Sequence, residues 1–318
     1  MPGALLAAVA LLCAGTMGFA IQRGATCTVA AVGEIVEQGT AYRVLALAEA
    51  SLWVACGLLI ARETGLLPAL PDGVALSPWT VFGGLLLGLG AWLNRACVFG
   101  AIARLGSGDW AYIATPVGFF AGALTAPLLF GEIMPRPVAG AAAIAAVPGW
   151  IGWLIVPFAA WRLFGIAARA GRHIWHPHEA TIVIGVTFVV LLLVAGPWAY
   201  TDVLIAAAKA MNGMIAFPLL LFAALLTGAS LGGWTAGRLK HQPLSIAGLA
   251  RSFGGGALMG WGSLLIPGGN DGLILTGMPL LQPHAWVGIG AMCAAIAVAL
   301  LLERRFARAY AAAPNLPR

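Results

Sequence analysis

Runs of about twenty apolar residues recur along the whole chain, and they limit what it can fold into. A helix needs roughly 20 such residues to cross the hydrocarbon core of a bilayer. Nine runs qualify, at about 3–22, 42–62, 79–94, 110–130, 138–157, 180–200, 214–237, 252–267 and 284–302. The third and eighth are short and lead into glycine-rich stretches. Charge agrees with a lipid solvent. Only 17 Lys+Arg and 11 Asp+Glu occur in 318 residues, against about a quarter of the residues in a soluble domain. Five cysteines are too few for a disulfide scaffold, and the hydrophobicity excludes disorder. The net charge of +6 does not point to nucleic acid, because basic loops of membrane proteins produce the same excess. The expected fold is all-α and integral to the membrane.

The first run has no Lys or Arg ahead of it, unlike a signal peptide. Cys13 follows Leu12, a bulky residue unsuited to a lipoprotein cleavage site. The segment is therefore expected to be a retained span. Basic residues orient the chain. With the C-terminus in the cytoplasm, 14 lie inside, including Arg43, Arg162, Arg238, Lys240 and Arg304. Three lie outside: Arg62, Arg136 and Lys209. Nine spans then put the N-terminus outside, in a bacterial inner membrane. Ala159 to Glu179 is basic and aromatic, and is expected to lie as a helix at the cytoplasmic interface. His173, His176 and His178 cluster there, but their spacing is no standard zinc pattern and Pro177 breaks a shared helical face. No metal or other cofactor is expected.

An offset of 172 residues aligns Gly83–Gly100 with Gly255–Gly272 without a gap, matching seven of 18 positions in the order G-G-x-x-x-G-x-G. The two units run in opposite directions through the expected topology. This predicts an inverted repeat of four spans, a linker span and four spans, a plan that recurs in transporters. The divisions are 1–136, 137–179 for the linker span and interfacial helix, and 180–318. Four segments of about ten residues are left over, each too short to cross: Cys27–Gln38, Ala96–Leu105, Asp202–Asn212 and Gly269–Gly277. They are expected to be half-helices entering from one face, where protein or a cavity shields the backbone.

Three strings break the apolar pattern with glycine and polar groups: Gly18–Cys27, Asn94–Gly108 and Ile266–Gly272. Half-helix N-termini favour anions. Gln22, Arg23 and Arg95 add polar and positive groups, and Cys27 and Cys97 add soft sulfur with a weak S–H donor. A small anion containing sulfur or selenium suits this set better than a sugar or a metal cation. Cys13, Cys56 and Cys293 sit in Ala/Leu runs and read as packing residues. Arg23 and Arg95 have an alternative role as snorkelling anchors. Glu49 reads as the structural partner of an arginine, with a proton-coupling site as the alternative. Asn270–Asp271–Gly272 reads either as part of the path or as a simple turn at a helix end.

At these strings the chain resembles the YeeE/YedE family of sulfur-transport membrane proteins. Gly18–Cys27 resembles the family's first motif, Cys97–Gly108 its second and Gly255–Gly277 its last. Known members take up thiosulfate. The resemblance implies nine spans in an inverted repeat with short half-helices. It also implies passage of thiosulfate along cysteines by S–H···S hydrogen bonds, with Cys27 and Cys97 matching two of them. The family's third pathway cysteine falls here on Gly269, or on Asn270 with a one-residue gap. A different small substrate, or a polar relay through Asn270 and Asp271, is the alternative that this departure raises. A cytoplasmic TusA-like carrier or a rhodanese is the partner the family implies. No G-x-x-x-x-G-K-[ST] string is present. The competing class is a membrane thiol redox or sulfur-relay protein using Cys27 and Cys97 as a dithiol.

Overall fold

The computed structural model describes residues 2–67, 70–131, 136–138, 143–168, 174–209 and 215–311. Thirteen helices occur among them. The first half holds α1 (Pro2–Arg23), α2 (Thr28–Gln38), α3 (Tyr42–Glu63), α4 (Pro78–Asn94), α5 (Val98–Gly106) and α6 (Ala114–Phe130). A 3-10 stretch, Gly149–Ile155, runs into α7 (Val156–Ala168). The second half holds α8 (Pro177–Ala195), α9 (Tyr200–Ala208), α10 (Ala216–Thr235), α11 (Ile246–Leu265), α12 (Asn270–Gly272) and α13 (Pro283–Ala311). A π-turn, Leu273–Gly277, continues α12. A two-residue antiparallel bridge joins Gly73–Val74 to Pro137–Val138.

Among the described residues, eight helical segments are long and apolar enough to cross a membrane, one fewer than the nine expected. The expected helix missing from the eight is α11. It forms over 20 residues, but its sequence is rich in glycine and carries Ser252 and Arg251, so it is less apolar than its neighbours. The fifth run is also displaced. The apolar segment is Gly149–Ile166 rather than 138–157, because a 3-10 turn and Pro148 occupy the earlier positions. Consequently α7 takes up residues expected to form an interfacial helix. Arg169, Arg172 and His173 lie outside the described residues.

The 172-residue offset extends far beyond the glycine string. It carries α1 onto α8, α2 onto α9, α3 onto α10, α4 onto α11, α5 onto α12 with its π-turn, and α6 onto α13, every start matching within four residues. Packing repeats with it. Contact of α1 with α10 is mirrored by α8 with α3, α6 with α11 by α13 with α4, and α2 with α13 by α9 with α6. The related helices α4 and α11 run antiparallel, since Gly83 faces Gly262 while Gly90 faces Gly255.

Those glycines explain themselves through packing. A Cβ on Gly262 would stand 2.4 Å from the Gly83 carbonyl oxygen, and one on Gly90 would stand 2.6 Å from that of Gly255. Small residues let two backbones touch where lipid supplies no hydrophobic drive. The α1–α10 crossing is built the same way, with Gly15 against Gly228. Large apolar side chains such as Leu12, Leu45, Leu128 and Phe164 point outward. The interior holds Met17, Leu87, Phe119 and Phe188. Glu49 meets Arg162 at 2.6 Å and also pairs with His178, tying α3 to α7 and α8.

Candidate functional site

Four short helices begin at one place in the middle of the chain fold. Their N-caps are Cys27 for α2, Cys97 for α5, Ala199 for α9 and Gly269 for α12. Cys27 and Ala199 are 172 positions apart, and so are Cys97 and Gly269. Each cap is extended in backbone, so each helix starts with a sharp change of direction. The leading N–H groups of a helix have no intrahelical partner, and here they turn towards one another.

Cross-bonds join the four starts. The Thr28 backbone N–H donates to Cys97 Sγ at 3.1 Å, and the Cys27 and Cys97 side chains are neighbours there. Neither is in a disulfide. Asn270 accepts from the Val98 N–H through Oδ1 at 3.4 Å and donates through Nδ2 to Thr28 Oγ1 at 3.4 Å. Tyr200 donates its hydroxyl to the Val98 carbonyl at 3.0 Å. Thr201 donates to Asp271 from its hydroxyl at 2.5 Å and from its backbone N–H at 3.3 Å. Cys97, Asn270 and Thr201 are wholly buried, and Asp271 nearly so. Asn270–Asp271–Gly272 is therefore the first turn of a buried helix, with both polar side chains directed into the junction.

Gly100 and Gly269 shape the two halves differently. A Cβ on Gly100 would lie 2.6 Å from Cys27 Sγ. A Cβ on Gly269 would lie 2.4 Å from Thr201 Oγ1 and 2.7 Å from Asp271 Oδ1. The space that a side chain at residue 269 would need is filled by a hydroxyl and a carboxylate.

The other residues singled out from the sequence sit elsewhere. Gln22 donates to Ser107 Oγ at 3.2 Å. Arg23 is buried, donates to Thr235 Oγ1 at 2.7 Å and lies over the Phe19 ring. Both brace the end of α1 against α10 and the turn after α5. Arg95 closes α4 in a left-handed conformation, φ +60°. It forms a two-pronged pair with Glu303, at 2.6 and 2.8 Å, with both side chains about 40% exposed. Its charge is thus engaged at the surface, away from the thiols. Cys13, Cys56 and Cys293 pack among apolar side chains or lie buried in the core.

Thr28, Tyr200 and Thr201 were not singled out from the sequence. The signal was available, since extending the 172-residue offset to Cys27 lands on Ala199 and brings Tyr200 and Thr201 to the same helix start. What hid them was the lack of visible similarity around that pair. On the Cys27 side, a narrow space of about 10 Å³ lies among Thr26, Cys27, Arg43, Leu47 and Thr181. On the Gly269 side, a cavity of about 540 Å³ is lined by Asp202, Lys209, Ser263, Pro267 and Gly268. Among the described residues no group of three or more His, Cys, Asp or Glu is placed to hold a metal. A family model described as sulphur transport matches residues 23–170 and again 142–298. No curated protein matches the chain.

Proposed function

The chain belongs to the sulphur-transport family, the YeeE/YedE membrane proteins, and from that premise we propose that it carries a small sulfur-containing anion, thiosulfate first. The paired Cys27 and Cys97 thiols at the starts of α2 and α5 carry this reading. A thiol donates a weak hydrogen bond to a soft sulfur terminus, and the adjoining helix N-termini offset the anion's charge. No residue needs to be modified in such a passage. The anion exchanges S–H donors from one thiol to the next, and Gly100 puts no side chain against Cys27.

In this reading nine helices cross a bacterial inner membrane, α11 being the ninth, and the repeats are inverted. α7 with its 3-10 lead-in is the linker span. The four short helices enter partway, and their starts meet where irregular backbone is shielded by protein. The N-terminus is outside and the basic C-terminal segment is cytoplasmic. The constriction at Thr26 and Arg43 is the cytoplasmic exit, and the cavity beside Gly268 opens outward. A TusA-like carrier or a rhodanese takes the product on the cytoplasmic side.

The second repeat has no thiol at residue 269. Its counterpart groups are the Asn270 amide and the Thr201 hydroxyl, which also donate hydrogen bonds. A selenium analogue or another small oxyanion of sulfur fits such a mixed path as well as thiosulfate does. Uptake of ³⁵S-thiosulfate into proteoliposomes holding this chain alone tests the reading. Saturable uptake, abolished in Cys27→Ala and Cys97→Ala, is expected. Full uptake in both variants refutes the thiol path. The competing reading is a redox dithiol, suggested by the proximity of the two thiols. It requires a reversible Cys27–Cys97 disulfide on mild oxidation, with loss of both free thiols together.

A further inference from the structure

Among the described residues, one charged residue borders the narrow space beside Cys27, and it is Arg43. The space is enclosed by the turn before α2, by Arg43, Ala46 and Leu47 of α3, and by Pro177 and Thr181 of α8. Its volume of about 10 Å³ holds at most one water, so an anion of several atoms enters only if a wall moves. Ala46, Leu47 and Thr181 are buried in packed helices. The Arg43 side chain is long and flexible and 40% exposed, so it is the part of the wall that yields most easily.

The guanidinium is turned to Glu34 of α2, with Nε 3.4 Å from Oε2. That pair is loose beside the 2.6 Å contacts of Arg95 with Glu303 and of Arg162 with Glu49. Among the described residues the two terminal nitrogens of Arg43 make no hydrogen bond. Glu34 does not depend on the pair for its position. Its Oε1 accepts from the Thr40 hydroxyl and from the Tyr42 N–H, both at 2.8 Å. Nor does the fold require the pair. The 172-residue offset carries Glu34 to Ala206 and Arg43 to Ile215, both apolar, and α9 and α10 form without it. The pair therefore belongs to the half that holds the thiols, and its cation can leave while its carboxylate stays.

We propose that Arg43 is the specificity-determining residue at the cytoplasmic end of the path: it leaves Glu34, grips the anion beside Cys27, and returns to Glu34 as the anion departs. A guanidinium fork meets two oxygens of an oxyanion at once, while the thiol donates to a sulfur terminus. An anion of the thiosulfate type has both ends, one soft and one hard. Sulfate lacks the sulfur terminus, and a halide lacks the pair of oxygens. Glu34 makes the grip reversible, because a fixed carboxylate competes for the same cation through a weak, partly exposed pair. The direction of passage, though not the binding, rests on the transport reading above.

The test measures equilibrium binding of ³⁵S-thiosulfate to the full chain in nanodiscs, where both faces are open, and uptake of the same probe into proteoliposomes. Arg43→Lys keeps the charge and loses the fork. It is expected to weaken binding about tenfold, a change of 1.4 kcal/mol. Glu34→Gln keeps an oxygen for Thr40 and Tyr42 and loses the competing charge. It is expected to tighten binding about two- to fivefold, the worth of an exposed pair. Opposite shifts in the two variants support the proposal. A purely structural pair lowers Tm in both and leaves affinity unchanged, or shifts it in the same direction in both; either result overturns the proposal. If one variant fails to elute as a monodisperse protein, the direction of the other decides. Opposite shifts in binding without any uptake leave Arg43 standing and remove the transport reading. Uptake by the parent chain with unchanged affinity in both variants does the reverse. Neither binding nor uptake removes both.

Discussion

Gly100 of α5 lies flat against the thiol of Cys27 on α2, so close that a methyl group at residue 100 would stand 2.6 Å from the sulfur. Nothing longer than hydrogen fits without moving Cys27. Such overpacking costs about 1–3 kcal/mol, and here the strain falls on the proposed path. Gly100→Ala is expected to cut anion uptake about tenfold or more, the rate equivalent of that range. The maleimide reactivity of Cys27 in detergent should change with it. Unchanged uptake and unchanged reactivity would place the path elsewhere.

The cysteines divide by environment. Cys27 and Cys97 touch each other at helix starts, whereas Cys13 and Cys293 pack against core residues and Cys56 is buried. Replacing Cys13, Cys56 and Cys293 together by Ala removes three small side chains that only pack. The expected cost is modest, about 1 kcal/mol per site, with uptake retained. Cys27→Ser and Cys97→Ser keep volume and a donor but harden it. They are expected to lower thiosulfate uptake more than sulfate-like competition, read as a change in inhibition pattern in proteoliposomes.

How much of this was legible beforehand depends on which physical signal each part uses. Spans are written in hydrophobic runs, so α1, α3, α4, α6 and α10 lie within a few residues of their expected places, and α13 starts at its expected place but runs on to Ala311. Among the described residues, each of the four leftover segments holds a short helix for the same reason, since each follows a break in the apolar pattern. Arg95 was open to two readings, path residue or snorkelling anchor, because sequence shows a charge beside a cysteine but not the direction of its side chain. Only folding brings Glu303, 208 residues away, to its guanidinium. The glycine string was read correctly as a repeat. Its chemistry belongs to the helix crossing, whereas Gly100 and Gly269 face the site.

The pairing of Arg95 with Glu303 is itself testable. An exposed ion pair contributes about 0–1 kcal/mol, so Arg95→Ala and Glu303→Gln are each expected to leave Tm nearly unchanged. Uptake should stay within about threefold of the parent chain, the scale of a sub-kcal effect. A loss of uptake far beyond that in Arg95→Ala, without the same loss in Glu303→Gln, would return the guanidinium to the anion path.

The position of the absent third thiol can be examined by restoring it. A Cβ at residue 269 meets Thr201 Oγ1 at 2.4 Å and Asp271 Oδ1 at 2.7 Å, so Gly269→Cys alone is expected to displace the Thr201–Asp271 bond. A buried carboxylate that loses a hydrogen bond to its charged form costs roughly 1.5–3 kcal/mol. The single variant should therefore melt lower and transport poorly. Thr201→Ala removes the clashing hydroxyl but also the carboxylate's partner, so it should destabilise on its own. Combining Gly269→Cys with Thr201→Ala gives the new thiol room, and its cost should be clearly less than the sum of the two single changes. If thiols alone determine cargo, the double variant takes up thiosulfate faster than the parent chain. If the Thr201 hydroxyl and the Asn270 amide serve as donors in their own right, the double variant is slower despite its third sulfur. Tm for all four chains, with uptake measured on the same preparations, separates the packing effect from the chemical one.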